Sequence, residues 1–332
     1  MIDAIQKIVR TTDAVVARLY LSLFRERDAL MTFLFHSLFR DEGEIGRNLV
    51  DPLQRTTVAQ FRRFVAYYVD HGYRFITPAD LLTGLGADGK YAMITFDDGY
   101  YNNTLALPVL EEFRVPAVFF VSTDHVAQAK GFWWDVLYRE LSARGATPRA
   151  IYREGVGMKS KRTDQIEADL VSRFGPDALR PRGEIDRPFT PEELRTFAAH
   201  PYVHLGNHTA NHAILTNYSA GEVRDQILGA QEALRAMTGV SPTVIAYPNG
   251  AHTRTILQTC DDLGLKVGFT TRPEKNALPL DARPPALLRL GRFVPHGDDP
   301  IESQCRTYRS DLLLYGKFRD GYLRFLRGNA AG

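Results

Sequence analysis

Two short stretches hold side chains able to do chemistry together. In the first, Ile94-Thr95-Phe96-Asp97-Asp98-Gly99-Tyr100, an apolar run from Tyr91 to Phe96 ends in two adjacent carboxylates and a glycine. Neighbouring carboxylates do not both ionise readily unless a cation lies between or beside them, so the pair asks for a metal or a shared proton. In a regular strand the two side chains would point to opposite faces. Both can serve one site only where the backbone leaves strand geometry, which Gly99 permits. In the second stretch, His204-Leu205-Gly206-Asn207-His208-Thr209-Ala210-Asn211-His212, His208 and His212 stand four apart. That spacing puts both imidazoles on one side of a helical turn or a tight loop. Two histidines with one aspartate make a three-ligand set that leaves a coordination position for water, the catalytic rather than the structural form of a zinc site. Zn²⁺, Co²⁺ and Ni²⁺ all suit such donors, and Zn²⁺ is expected by availability.

Thr95-Phe96-Asp97-Asp98-Gly99-Tyr100, taken with His208-Thr209-Ala210-Asn211-His212, resembles the first two motifs of the polysaccharide deacetylase family, the NodB-like enzymes of carbohydrate esterase family 4. Ala246-Tyr247-Pro248-Asn249-Gly250 is similar to the third motif, and the motifs arrive in the family's order within roughly residues 30 to 300. The resemblance implies that Asp98, His208 and His212 hold a divalent metal and that Asp97 is the general base. It also implies that the backbone N–H of Asn249 helps to stabilise the oxyanion. The better-known form of the third motif has arginine two residues before the proline and tyrosine after it; here those positions are Ala246 and Asn249. Another residue must then orient Asp97. Leu290-Gly291-Arg292-Phe293-Val294 resembles a Pro-Arg-Ile segment on the final strand of a circularly permuted branch of the family, which makes Arg292 the candidate, with a surface salt bridge as its alternative. In that branch a Tyr-His or similar dipeptide near the N-terminus supplies the leaving-group acid. Phe35-His36 stands in its place, so His36 is the candidate acid and His296 its rival. His204 is a candidate to support a ligand from behind, while His71, His125, His200 and His252 read as structural.

The elements that must position these residues follow from periodicity. Ile2, Ile5, Ile8, Val9, Val15, Val16, Leu19, Leu23 and Phe24 recur at roughly helical spacing, which predicts an amphipathic N-terminal helix within residues 1–28 that packs on the domain or a partner subunit, with membrane attachment as the alternative. From Ala29 to about residue 300, short apolar runs alternate with helical segments. Runs such as Ala29–Phe35, Tyr91–Phe96, Pro116–Val121, Tyr202–Leu205, Thr243–Ala246, Val267–Thr270 and Leu287–Val294 read as strands, and alternation with helices favours parallel strands joined by right-handed crossovers. With the family resemblance, the expected fold is an α/β, NodB-like distorted (β/α)7 barrel. Between about 125 and 190 the rhythm breaks, which predicts a mostly helical insertion over the strand ends; its Trp133 and Trp134 either stack on a sugar ring or pack in a core. Residues 301–332 read as a helical closing segment.

Bulk properties bound the rest. A chain of 332 residues that is 44% hydrophobic can bury a large core as one domain. Its net charge of +2 is well mixed, which argues against a dedicated nucleic-acid binder. Two widely separated cysteines, Cys260 and Cys305, fit a reducing compartment. Met1 to Arg10 lacks the apolar core of a signal peptide, and no stretch approaches the ~18 apolar residues of a membrane span, so a cytoplasmic location is expected. The expected function is metal-dependent removal of acetyl groups from N-acetylated sugars or a glycan precursor. Two readings compete with it: a C–N hydrolase on a non-sugar amide, and a metal-bearing glycan-binding module without turnover.

Overall fold

A computed structural model describes residues 2–52, 54–281 and 285–312. Eight strands lie in one sheet: β1 (Ala29–Phe35), β2 (Arg74–Phe75), β3 (Lys90–Phe96), β4 (Ala117–Val121), β5 (Val203–Asn207), β6 (Val244–Ala246), β7 (Val267–Phe269) and β8 (Asn276–Ala277). The path β7-β6-β5-β4-β3-β1 is parallel throughout, β2 adds to the start of β3, and β8 runs antiparallel on β1. Residues 290–293 close the ring as a seventh stave. Leu290 bridges Phe269 of β7, and Phe293 bridges Phe33 of β1, both in parallel sense. The outcome is a distorted (β/α)7 barrel, and the distortion lies at this seventh stave. The sequence pattern predicts a full strand over Leu287–Val294, but Ala286–Arg289 turns as a 3₁₀ helix and only isolated bridges follow. There Leu288 is buried and the chain passes close against Gly268, where an added Cβ would meet the Leu288 carbonyl oxygen at 2.4 Å.

Both faces of the strands are buried, as parallel sheets require. Leu30, Met93, Val118, Phe120, Val244, Val267 and Phe269 fill the barrel interior. On the alternate positions Phe33, Phe35, Ile94, Phe96, Phe119 and Leu205 pack outward against the helices. Their caps are local and sequence-encoded: Thr57 with Gln60, Thr77 with Asp80 and Thr190 with Glu193 form capping boxes, with proline in the first turn of the latter two helices. The helical segment after β3 begins as a 3₁₀ turn, Tyr101–Ala106, and becomes α-helical only at Leu107–Phe113. Pro108 sits at that junction, in a first turn where its missing N–H costs nothing.

Between β4 and β5 the chain forms the helices Thr123–Gln128, Trp133–Ala143, Pro148–Met158 and Thr163–Phe174 before the helix Pro191–Ala198. The middle three share a small core of their own, built on Trp133, Val136, Leu137, Ile151, Met158, Ile166 and Leu170. The N-terminal helix Ile2–Leu23 packs on the helix Ile301–Arg309. Asp13 and Ala17 of that helix are buried, whereas Val15, Leu19 and Leu23 are exposed, so its apolar stripe is only partly turned inward. Beyond Leu312 the expected closing segment lies outside the described residues. No helix among the described residues is long and apolar enough to cross a membrane.

Candidate active site

The barrel gathers its chemistry where the staves end. His36 follows β1, Asp97 and Asp98 follow β3, His208 follows β5, Asn249 lies three residues past β6, and Val294 follows the seventh stave. All of them line one cavity of about 290 Å³, together with His212 and with Trp133, Trp134, Ile151, Tyr152 and Lys159 of the helical insertion. Strand alternation explains the first carboxylate. Ile94 and Phe96 point out to the helices, so Thr95 and Asp97 point in. Asp98 would then face outward, and the backbone prevents this: Asp98 itself takes φ 79° and Gly99 φ 88°, so the departure from strand geometry begins one residue earlier than the glycine. Aspartate tolerates the left-handed region better than most residues.

Both carboxylates lie among cationic groups, Arg292 against Asp97, His212 against Asp98, and His208 beside the two of them. Arg292 grips Asp97 with both arms, Nη1 to Oδ1 at 2.7 Å and Nη2 to Oδ2 at 2.8 Å. The guanidinium is itself fully buried in the barrel; Nη1 also donates to Thr95 Oγ1, Nε donates to the Thr270 carbonyl, and the rings of Phe120 and Phe269 lie beside it. Burial would raise the Asp97 carboxyl, but the charge of Arg292, then that of His208, outweighs it and holds the group below the usual carboxylate range. Asp98 is likewise pushed up by burial and pulled further down by His208 and His212, to well below that range.

His208 and His212 each place Nε2 at 3.3 Å from Asp98 Oδ1. Donors bonded to a tetrahedral ion at the ~2.0–2.1 Å typical of zinc lie about 3.3–3.4 Å from one another, which fits both contacts. His208 donates Nδ1–H to the Ala246 carbonyl at 2.8 Å, which leaves its Nε2 as a lone pair when the ring is neutral. Two acceptors aimed at each other at this range need a cation or a proton between them, and Asp98 Oδ1 is buried without a hydrogen-bond partner among the described residues. The three residues are also the cluster of possible metal donors found among the described residues. The donor set therefore fits a divalent ion. His208 and His212 come together on a tight loop and not on a helix: Thr209 (φ 64°) and His212 (φ 55°) both take left-handed backbone.

His36 lines the cavity, with Nδ1 at 2.8 Å from Gln54 Oε1. His296 does not line it; its backbone N–H and carbonyl are held by Gln304. His204 lies back along β5 with Asp80 as its charged neighbour, away from the ligands. Trp133 is buried in the insertion's core, whereas Trp134 donates its indole N–H to Tyr100 Oη at 2.8 Å and lies against His212 at 4.5 Å between ring centres. Tyr100 in turn donates to Asp135 at 2.7 Å, and Asp135 accepts the backbone N–H of Asp51. Asn249, at φ 58°, accepts from Lys159 Nζ at 3.0 Å through its side chain.

Sequence reasoning missed Asp51, Gln54 and Lys159. Asp51 and Lys159 line the cavity from loops or helix ends in the connecting segments, and no local pattern marks them. Burial pushes the Asp51 carboxyl up to about 6, against the opposing charges of Lys159 and His36. Burial likewise lowers the Lys159 ammonium.

A sequence profile of the polysaccharide deacetylases matches residues 85–268, more than half of the chain. The chain belongs to the polysaccharide deacetylase family. The matched range contains Asp97, Asp98, His208, His212 and Asn249. A family relative from Bacillus subtilis (strain 168), the polysaccharide deacetylase homologue YxkH, is 20% identical over 224 residues. That alignment takes in 66% of this chain and 60% of the relative's length. Among solved structures, the deacetylase PplD of Streptococcus pyogenes, determined in complex with acetate, superposes with a TM-score of 0.57 at 18% identity, over 84% of this chain and 98% of that one. IcaB from Ammonifex degensii superposes with a TM-score of 0.56 at 17% identity, over 86% of this chain and 98% of that one. At such identities the likeness speaks for the fold: the deacetylase barrel seen here is shared with both.

Proposed function

We propose that the chain is a metal-dependent hydrolase that removes acetyl groups from N-acetylated sugars or a glycan precursor. The observation that carries this reading is one juxtaposition: Asp98 Oδ1 lies 3.3 Å from Nε2 of both His208 and His212, the three donors fall within 4.8 Å of one another, and Asp97 lines the same cavity beside them. A divalent ion held by those donors, Zn²⁺ by availability with Co²⁺ and Ni²⁺ as alternatives, supplies Lewis acidity toward the acetyl oxygen and a water of lowered pKa.

The chain's own residues do the rest. Asp97 takes the proton of the attacking water, and Arg292 keeps it ionised and aimed. The Asn249 N–H donates to the oxygen that gains charge, and His36 returns a proton to the departing nitrogen as the C–N bond breaks. Trp134 and Tyr152 offer apolar faces to a sugar ring on the insertion side of the cavity. Cys260 and Cys305, both buried and unpaired, suit a reducing compartment, and fractionation of the native protein tests a cytoplasmic location.

Acetate release from a panel of N-acetylated sugars and oligosaccharides tests the function. Zinc-loaded protein should release acetate, and chelation should abolish it. Asp97→Asn should keep its metal and lose about 10²- to 10⁴-fold in rate. His208→Ala should lose bound zinc outright, read by metal analysis. Bound metal without acetate release from any member would sink the reading and favour a glycan-binding module or another amide as substrate.

A further inference from the structure

We propose that Gln54 is a positioning residue, whose amide holds the His36 imidazole in the Nδ1–H tautomer and so turns Nε2 toward the reacting group. The catalytic consequence rests on the deacetylase reading above; the tautomer does not.

The geometry leaves little choice of proton position. Gln54 is buried, and its Nε2 lies 2.8 Å from the Leu34 carbonyl oxygen and 3.0 Å from that of Pro295. Carbonyl oxygens only accept, so this end of the amide must be the NH₂ group. Its Oε1 is thereby turned to His36 Nδ1 at 2.8 Å. An amide oxygen also only accepts, so Nδ1 must carry the proton. The backbone of His36 is pinned as well, its carbonyl accepting from Asn103 Nδ2 at 2.7 Å. Gln54 thus spans the ends of the first and seventh staves and fixes the ring that projects between them.

The seat of Gln54 is itself built by close packing. Gly297 donates its backbone N–H to the Gln54 carbonyl, and a Cβ at 297 would fall 1.9 Å from the Arg55 carbonyl oxygen. A glycine therefore lets the chain after the seventh stave press against residues 54 and 55.

Proton transfer explains what the clamp does. When the imidazolium gives the Nε2 proton to the leaving nitrogen, the ring that remains is the Nδ1–H tautomer, the one Gln54 favours. The acid's product state is stabilised by a neutral partner. The carboxylates that act on His36 through charge, Asp51, Asp97 and Asp98, impose no such choice between the two ring nitrogens.

The ¹⁵N spectrum of the imidazoles tests this on the zinc-supplemented full chain at alkaline pH, with the His36 signals assigned by their loss in His36→Gln. The parent should show a pyrrole-type Nδ1 and a pyridine-type Nε2 for His36. Gln54→Met should average or reverse that pattern, and should lower kcat about 10- to 100-fold with KM within about twofold. An Nε2–H tautomer in the parent, or a Gln54→Met spectrum unchanged from it, would overturn the proposal. A parent that releases no acetate removes the deacetylase reading, and the spectrum alone still decides whether Gln54 sets the tautomer.

Discussion

At the scale of single residues, the cavity brings together ionisable groups with opposite linkages to stability. Asp51 is the clearest case, because burial raises its carboxyl from 3.8 to about 6 while its backbone is tied to Asp135. A carboxyl raised in the folded state favours folding only while it is protonated. Its contribution is therefore complete below the unfolded value of 3.8 and is lost as pH rises through about 6. Asp51→Asn removes that charge. The variant should be more stable than the parent at pH about 8 and nearly equal to it at pH about 4, by urea denaturation at both values. A parent that outlasts the variant at the higher pH would mean that Lys159 and His36 compensate the buried charge fully.

At the scale of elements, Glu26 ties separate pieces of the chain together at one buried carboxylate. It follows the N-terminal helix and accepts from Arg309 of the helix Ile301–Arg309 through both oxygens at 2.9 Å. Tyr73 donates to it at 2.6 Å, and the Lys90 ammonium at the start of β3 lies 2.6 Å away. Burial would raise this carboxyl, but the bonds from Arg309, Lys90 and Tyr73 outweigh it and set it at about 2, below the ordinary 4.5. The sign is opposite to that of Asp51: stability from Glu26 is complete above 4.5 and is lost as pH falls through about 2. Glu26→Gln should therefore cost stability at neutral pH, on the order of 3 kcal/mol because it leaves a buried guanidinium underpaired. The difference from the parent should narrow as pH falls below 4.5, followed by denaturation from neutral pH to about 3. A difference that stays constant over this range would place the effect in packing and not in charge.

At the scale of the whole molecule, the stave that closes the barrel also supplies a residue of the site. Arg292 comes from the stave that joins β7 to β1, and Asp97 from the far end of β3, 195 positions away in the chain. Arg292→Met should leave Asp97 buried without its partner, costing about 3–5 kcal/mol of stability, and should raise that carboxyl so that less of it is ionised and free to take the water's proton. Arg292→Lys keeps the charge but loses the two-armed grip, so acetate release should fall between parent and methionine variant. Equal activity in all three would remove Arg292 from the chemistry. The sequence by itself determined what local pattern encodes: alternating strands and helices, the capped helix starts, and the pairs Asp97-Asp98 and His208-His212, whose donors stand within a few residues of one another. It also marked Arg292 and His36, through motif resemblance. Only the tertiary structure decided how Asp98 turns into the cavity, and that Arg292 grips Asp97 through both arms. The seating of His36 on Gln54, and the entry of Asp51 and Lys159 into the same cavity, were likewise tertiary. The physical reason is distance along the chain: such contacts follow from where staves end after the barrel closes, and residues in loops and the insertion carry no periodic signal to announce it.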